Sequence, residues 1–136
     1  MLVNDLQNGV VLFNAGRFFD AHEVLEDIWR EAPRQSPLRR HLQGMVQLAV
    51  AFHHQSKGNQ VGARSVLERA MRNISGADSS FPDLDLDRLH AELALWRQHL
   101  DHSDSPSERK LEGRDVRRHH VVNSCAPALP KIRKRR

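Results

Sequence analysis

Cysteine occurs once, at Cys125. No disulfide can therefore form within the chain, and this usage fits a reducing compartment, so a cytoplasmic location is expected. Long apolar runs are also missing. The longest, Leu48 to Phe52, falls far short of the ~20 residues a membrane helix needs. The opening Met1-Leu2-Val3-Asn4-Asp5 has neither a basic n-region nor an apolar h-region, and no secretory leader is expected. There is no Gly-rich phosphate loop, no cysteine cluster and no serine–histidine–aspartate order of note. Nor is there a Glu-x-x-His step, so a di-iron site of the ferritin type lacks its usual motif.

What is present is enough for one compact domain, at 136 residues. The pI near 10.0 suggests nucleic acid, but the charge is unevenly spread. Residues 1–102 carry 11 Lys/Arg against 13 Asp/Glu, whereas 103–136 carry 10 against 4. Basicity belongs to the tail, not the body. From Asp104 onward, Ser, Pro, Arg and His dominate without apolar period, ending in Lys131-Ile132-Arg133-Lys134-Arg135-Arg136. The division is thus a helical domain over 1–103 and a basic tail over 104–136, expected to be disordered and dispensable for folding. That tail would hold polyanions such as RNA or anionic lipid by charge alone, or be a plain solvated extension.

Helical spacing runs through the body. Leu2, Leu6, Val10 and Phe13 predict a first helix from Leu2 to Asn14, closed by Gly16. A second spans Phe18 to Glu31 and stops before Pro33. Ser36-Pro37 starts a third, which runs to about Lys57 and is apolar almost all round. Asn59 caps a fourth, with Ala63, Val66, Leu67, Ala70, Met71 and Ile74 inward. Asp83 or Asp85 caps a fifth, marked by Leu86, Leu89, Leu93, Trp96 and Leu100. Gly16, Ala21, Val24, Leu25 and Glu26 recur 42 positions later as Gly58, Ala63, Val66, Leu67 and Glu68. The fold predicted is all-α: a compact bundle of about five helices built from two stacked αα-hairpins of tetratricopeptide-like grammar plus a C-terminal helix.

The chain is organised around Phe18–Trp29. Wound at about 100° per residue, His22 and Glu26 fall inside its apolar arc, between Trp29 and Phe19. A His/carboxylate pair so placed must be satisfied, because burying it unpaired costs several kcal/mol. On the third helix Gln43, Gln47 and His54 form a narrow polar stripe, within about 40° on the same wheel. The economical arrangement lets this stripe face His22 and Glu26 across the contact of the second and third helices. Two readings of that pocket stand. In one it is a buried hydrogen-bonded network that fixes helix register. In the other, His22, Glu26 and His54 hold a divalent ion, zinc or manganese, Glu23 activates its water, and Gln43, Gln47 and Asn59 line the site. His22-Glu23-x-x-Glu26 looks like the zinc-protease His-Glu-x-x-His with its second His replaced.

Three motifs in order carry a resemblance: Phe13-Asn14-x-Gly16-x-Phe18-Phe19-x-x-His22-Glu23-x-Leu25-Glu26-x-x-Trp29, then Gln43-Gly44-x-x-Gln47-x-Ala49-x-x-x-His53-His54, then Gly58-Asn59-x-x-Gly62-Ala63. They are similar to the family called domain of unknown function 309, over roughly residues 4 to 100. The resemblance implies a small all-helical protein, and a label of predicted metal-dependent hydrolase attaches to some members. It does not extend to the basic tail. Two classes of function follow. One is a non-enzymatic helical module that binds a protein partner or a second copy of itself; the other is a metal-dependent hydrolase.

Overall fold

The computed structural model describes residues 2–103 and 126–136. Its helices are α1 (Leu2–Asn14), α2 (Phe18–Glu31), α3 (Pro37–Ser56), α4 (Gln60–Asn73) and α5 (Leu86–Ser103). The fold is all-α, with no strand among the described residues. α2 packs between α1 and α3, α3 between α2 and α4, and α5 joins α4.

The helix ends follow from local chemistry. The Ser36 hydroxyl accepts from the Arg39 amide at 3.3 Å, with Pro37 at the first helical position. Asn59 Oδ1 accepts from the Gly62 amide at 3.0 Å and caps α4. Asp85 Oδ1 accepts from the Arg88 amide at 3.1 Å at the start of α5. The turns after α1 and α3 close alike. Gly16 and Gly58 both sit at φ 82°. The Arg17 amide reaches Leu12 O and the Asn59 amide reaches His54 O, both at 2.9 Å, the Schellman pattern that left-handed glycine permits.

Around these turns the core assembles from the apolar faces of the helices, with α3 buried over most of its circumference between α2 and α4. Phe13, Phe18 and Phe52 stack edge-on or tilted, with centroids 5.2–6.1 Å apart, and Trp96 meets Phe52 edge-on at 5.4 Å. This joins α1, α2, α3 and α5. α3 approaches the end of α4 so closely that a Cβ on Gly44 would lie 2.5 Å from Ile74 Cγ2. The connection before α5 is less polar in use than in composition. It contains a 3-10 turn at Ala77–Ser79 and buries Ala77, Phe81 and Leu84.

The expectation of a disordered tail falls partly on residues 104–125, outside the described residues. At 126–136 the structure differs from it: this segment lies extended against the bundle. Ile132 is 3% exposed and belongs to the core. Leu84 and Lys134 form an isolated antiparallel bridge. Periodicity gave no warning, because an extended segment with a single apolar anchor has no helical period to show.

Candidate functional site

The residues singled out by sequence separate into three places. The first is the outward side of α2. His22 Nε2 stands 3.6 Å from Glu26 Oε2, one turn apart, with both side chains half-buried. The other oxygen of Glu26 accepts from Arg30 Nη2 at 2.8 Å, and Arg30 also reaches Asp27 at 3.2 Å. Glu26 is thus already held between an imidazole and a guanidinium. Glu23 is exposed. Phe19, 51% exposed, lies between His22 on its own helix and His53 on α3, with ring centroids 5.9 and 5.5 Å away.

The second place is the α3–α4 turn. His54 Nδ1 is 3.3 Å from Asn59 Nδ2. Because the amide nitrogen can only donate, this contact places the ring proton on Nε2. The third is the far end of the α3–α4 contact, where Asn73 Nδ2 donates to Gln47 Oε1 at 2.8 Å. Gln43 is exposed.

The expected meeting of His22 and Glu26 with Gln43, Gln47 and His54 therefore differs from what is found. The stripe on α3 exists, but Gln47 and His54 are engaged by α4 and its leading turn, not by α2. A helical wheel fixes the angle between side chains on one helix, not which neighbour that angle faces. Among the described residues no group of three His, Cys, Asp or Glu side chains is gathered as a metal ion would need. His53, rather than His54, is the α3 histidine turned toward His22 across Phe19.

Sequence reasoning missed a cluster at the start of α3. Arg39 Nη1 donates to Trp29 O at 3.2 Å and Ala32 O at 3.0 Å, at the end of α2, and its guanidinium carbon lies 4.5 Å over the Trp29 ring. Its neighbour Arg40 donates to Arg72 O at 3.1 Å and Ser75 O at 3.2 Å, at the end of α4. Adjacent arginines thus cap two different helices. The signal was available: two cations in the first turn of a helix oppose its dipole, so something else must hold them there.

Beside them His41 is buried, 2% exposed. Its Nδ1 is 2.6 Å from Ser80 Oγ and its Nε2 is 3.3 Å from Arg40 Nη2. Burial, and then the Arg40 charge, push its pKa below the usual value. Arg40 can only donate, so Nε2 accepts and Nδ1–H donates to Ser80. A ring nitrogen that already carries its proton and donates a hydrogen bond to the hydroxyl is not positioned to take a proton from it. The contact pins the 75–85 connection to α3 and does not activate a serine nucleophile.

The comparisons with known proteins agree with the motifs. The family model described as Domain of unknown function (DUF309) matches residues 6–66. An uncharacterized protein of Bacillus subtilis (strain 168), YpuF, is 35% identical over 79 residues, 57% of this chain and 45% of its own length. An uncharacterized protein of Aquifex aeolicus (strain VF5) is 25% identical over 88 residues, 65% of this chain and 26% of its own length. The chain thus spans less than half the length of either relative. No described helix is long and apolar enough to cross a membrane.

Proposed function

Taking the chain as a DUF309 protein over residues 6–66, we propose that it works as a non-enzymatic helical interaction module. The observation that carries this reading is the use made of the motif's polar groups. Gln47 is bonded to Asn73, Asn59 caps α4 with His54 beside it, and Glu26 is held by Arg30. Gln47–Asn73 and His54–Asn59 tie α3 to α4 and its leading turn, and Glu26–Arg30 braces α2 itself, all of them the work of a scaffold. Among the outward apolar side chains, Phe19 is the aromatic one, between His22 and His53 on the face shared by α2 and α3. An exposed aromatic flanked by imidazoles suits contact with a protein surface.

The other reading is a hydrolase whose divalent ion is bound by His22, Glu26 and His54, with Glu23 as base. One feature favours it, the His22–Glu26 pair itself. Against it stands His54, whose Nδ1 already accepts from Asn59 at the α3–α4 turn.

Metal analysis of the chelator-treated protein after adding back zinc or manganese decides between them. The module reading expects no stoichiometric metal, a melting temperature that neither ion moves, and marked destabilisation in Gln47→Leu. One ion per chain, lost in His22→Ala, would overturn it in favour of the hydrolase.

A further inference from the structure

Residues 126–136 are held against the bundle as a bound peptide is held. Pro127 and Pro130 fix their own φ and bias Ala126 and Leu129 toward extended backbone. The backbone groups then find partners on the body rather than within the segment. Trp96 Nε1 donates to Ala128 O at 2.8 Å. The Lys131 amide donates to Glu92 Oε1 at 3.0 Å. The side-chain amide of Asn14 grips Ile132 twice, donating to its carbonyl at 2.9 Å and accepting from its N–H at 2.8 Å. The Asp85 amide donates to Arg133 O, and the Arg135 amide to Asp83 O, at 2.8 and 2.6 Å.

Side chains add selectivity to this backbone pairing. Ile132 inserts into the core. Arg133 donates to the second oxygen of Glu92 at 2.8 Å. Lys131 Nζ donates at 2.6 Å to the backbone carbonyl of Asn14, at the negative end of α1. Main-chain pairing combined with one anchored side chain and flanking charges is the general logic of extended-peptide recognition. Of the groups that do the gripping, only Asn14 lies within the stretch that matches the family model.

We propose that the trough between Asn14, the 83–85 edge and the Glu92–Trp96 side of α5 is a recognition site for a basic extended peptide carrying an aliphatic anchor between cations, the Lys-Ile-Arg pattern. Residues 126–136 are its built-in occupant, and a partner segment of the same chemistry competes with them for it. Tethering raises the local concentration of the built-in segment to about the millimolar range, so it shields the trough until a better or more abundant competitor arrives.

The test uses the full chain and a fluorescently labelled peptide with the sequence of residues 126–136. Ile132→Asp in the chain removes the anchor and frees the trough. With its helicity intact by circular dichroism, this variant is expected to bind the peptide at least about tenfold more tightly than the unaltered chain, because internal competition is gone. Adding Glu92→Gln to that variant should weaken binding by about tenfold and reduce its dependence on salt. A labelled peptide that itself carries Ile132→Asp should not bind. The proposal is overturned if the folded Ile132→Asp chain takes up no peptide, or if both chains bind it equally. A dimer that the free peptide dissociates would also overturn it, because 126–136 would then sit on a second copy. Should Ile132→Asp fail to fold, a protease site placed within 104–125 gives a nicked chain. Displacement of the cut segment by excess labelled peptide supports the proposal, and retention of the cut segment under that excess refutes it.

Discussion

Arg39→Met removes a single guanidinium and keeps most of the aliphatic stem. In the structure its Nη1 donates to carbonyls at the end of α2, Trp29 O at 3.2 Å, Ala32 O at 3.0 Å and, at the limit of a hydrogen bond, Arg30 O at 3.5 Å, and the guanidinium covers Trp29 at 4.5 Å. A hydrogen bond from a charged donor contributes about 1.5–3 kcal/mol when well buried. A cation at a helix C-terminus adds about 0.3–1 kcal/mol and a partly exposed cation–π contact about 0.5–1 kcal/mol. Arg39 is only half-buried, so these terms must be discounted for solvent screening, and they are not additive. The expected net loss is about 1–2 kcal/mol, or a fall in melting temperature of about 5 °C. Urea unfolding followed by circular dichroism measures the stability, and the emission of Trp29 in the folded state should shift as its cover is removed. Arg39→Lys should recover only part of the loss, because an ammonium can donate to these carbonyls but does not reproduce the stacking of the planar guanidinium on Trp29. If Arg39→Met unfolds within about 0.3 kcal/mol of the parent, or Arg39→Lys matches the parent, the account of Arg39 as the cap of α2 is wrong.

The buried His41 makes stability depend on pH. Its pKa is lowered from 6.5 in the fold, so below that value the unfolded chain binds more protons than the folded one. Its contribution is therefore fully present above pH 6.5 and falls as pH drops toward the lowered folded value. Urea midpoints compared across this window should fall less steeply in His41→Gln than in the parent, and equal slopes would remove His41 from the account. Gly44→Ala brings a methyl to 2.5 Å from Ile74 Cγ2 and should cost about 1–3 kcal/mol by overpacking, read from the same urea curves. Asn59→Ala removes the α4 cap and should cost about 1 kcal/mol, whereas Asn59→Ser should retain most of it. Deleting residues 126–136 withdraws Ile132 from the core and should lower stability by about 2 kcal/mol, against the dispensability that tail composition implies; an unchanged melting temperature would show that the segment does not dock.

The sequence by itself determined the helices. Leu2–Asn14 and Phe18–Glu31 begin and end where periodicity, Gly16 and Pro33 put them, and Ser36, Asn59 and Asp85 cap as their side chains dictate. These are local properties, settled within a few residues along the chain. Only the tertiary structure decided which surfaces meet. The stripe of Gln47 and His54 was legible, but that it turns toward Asn73 and Asn59 rather than His22 depends on how α3 is rotated between α2 and α4. That rotation is set by the whole core, including the close approach at Gly44. Arg39 and Arg40 read as an awkward pair at a helix start until the ends of α2 and α4 arrive beside them. Ile132 is the extreme case. It was one aliphatic residue in a run of cations, and its burial depends on Asn14 and Glu92, which lie far away in the chain. No local pattern encodes such a contact, because its partners are adjacent only after the helices have packed.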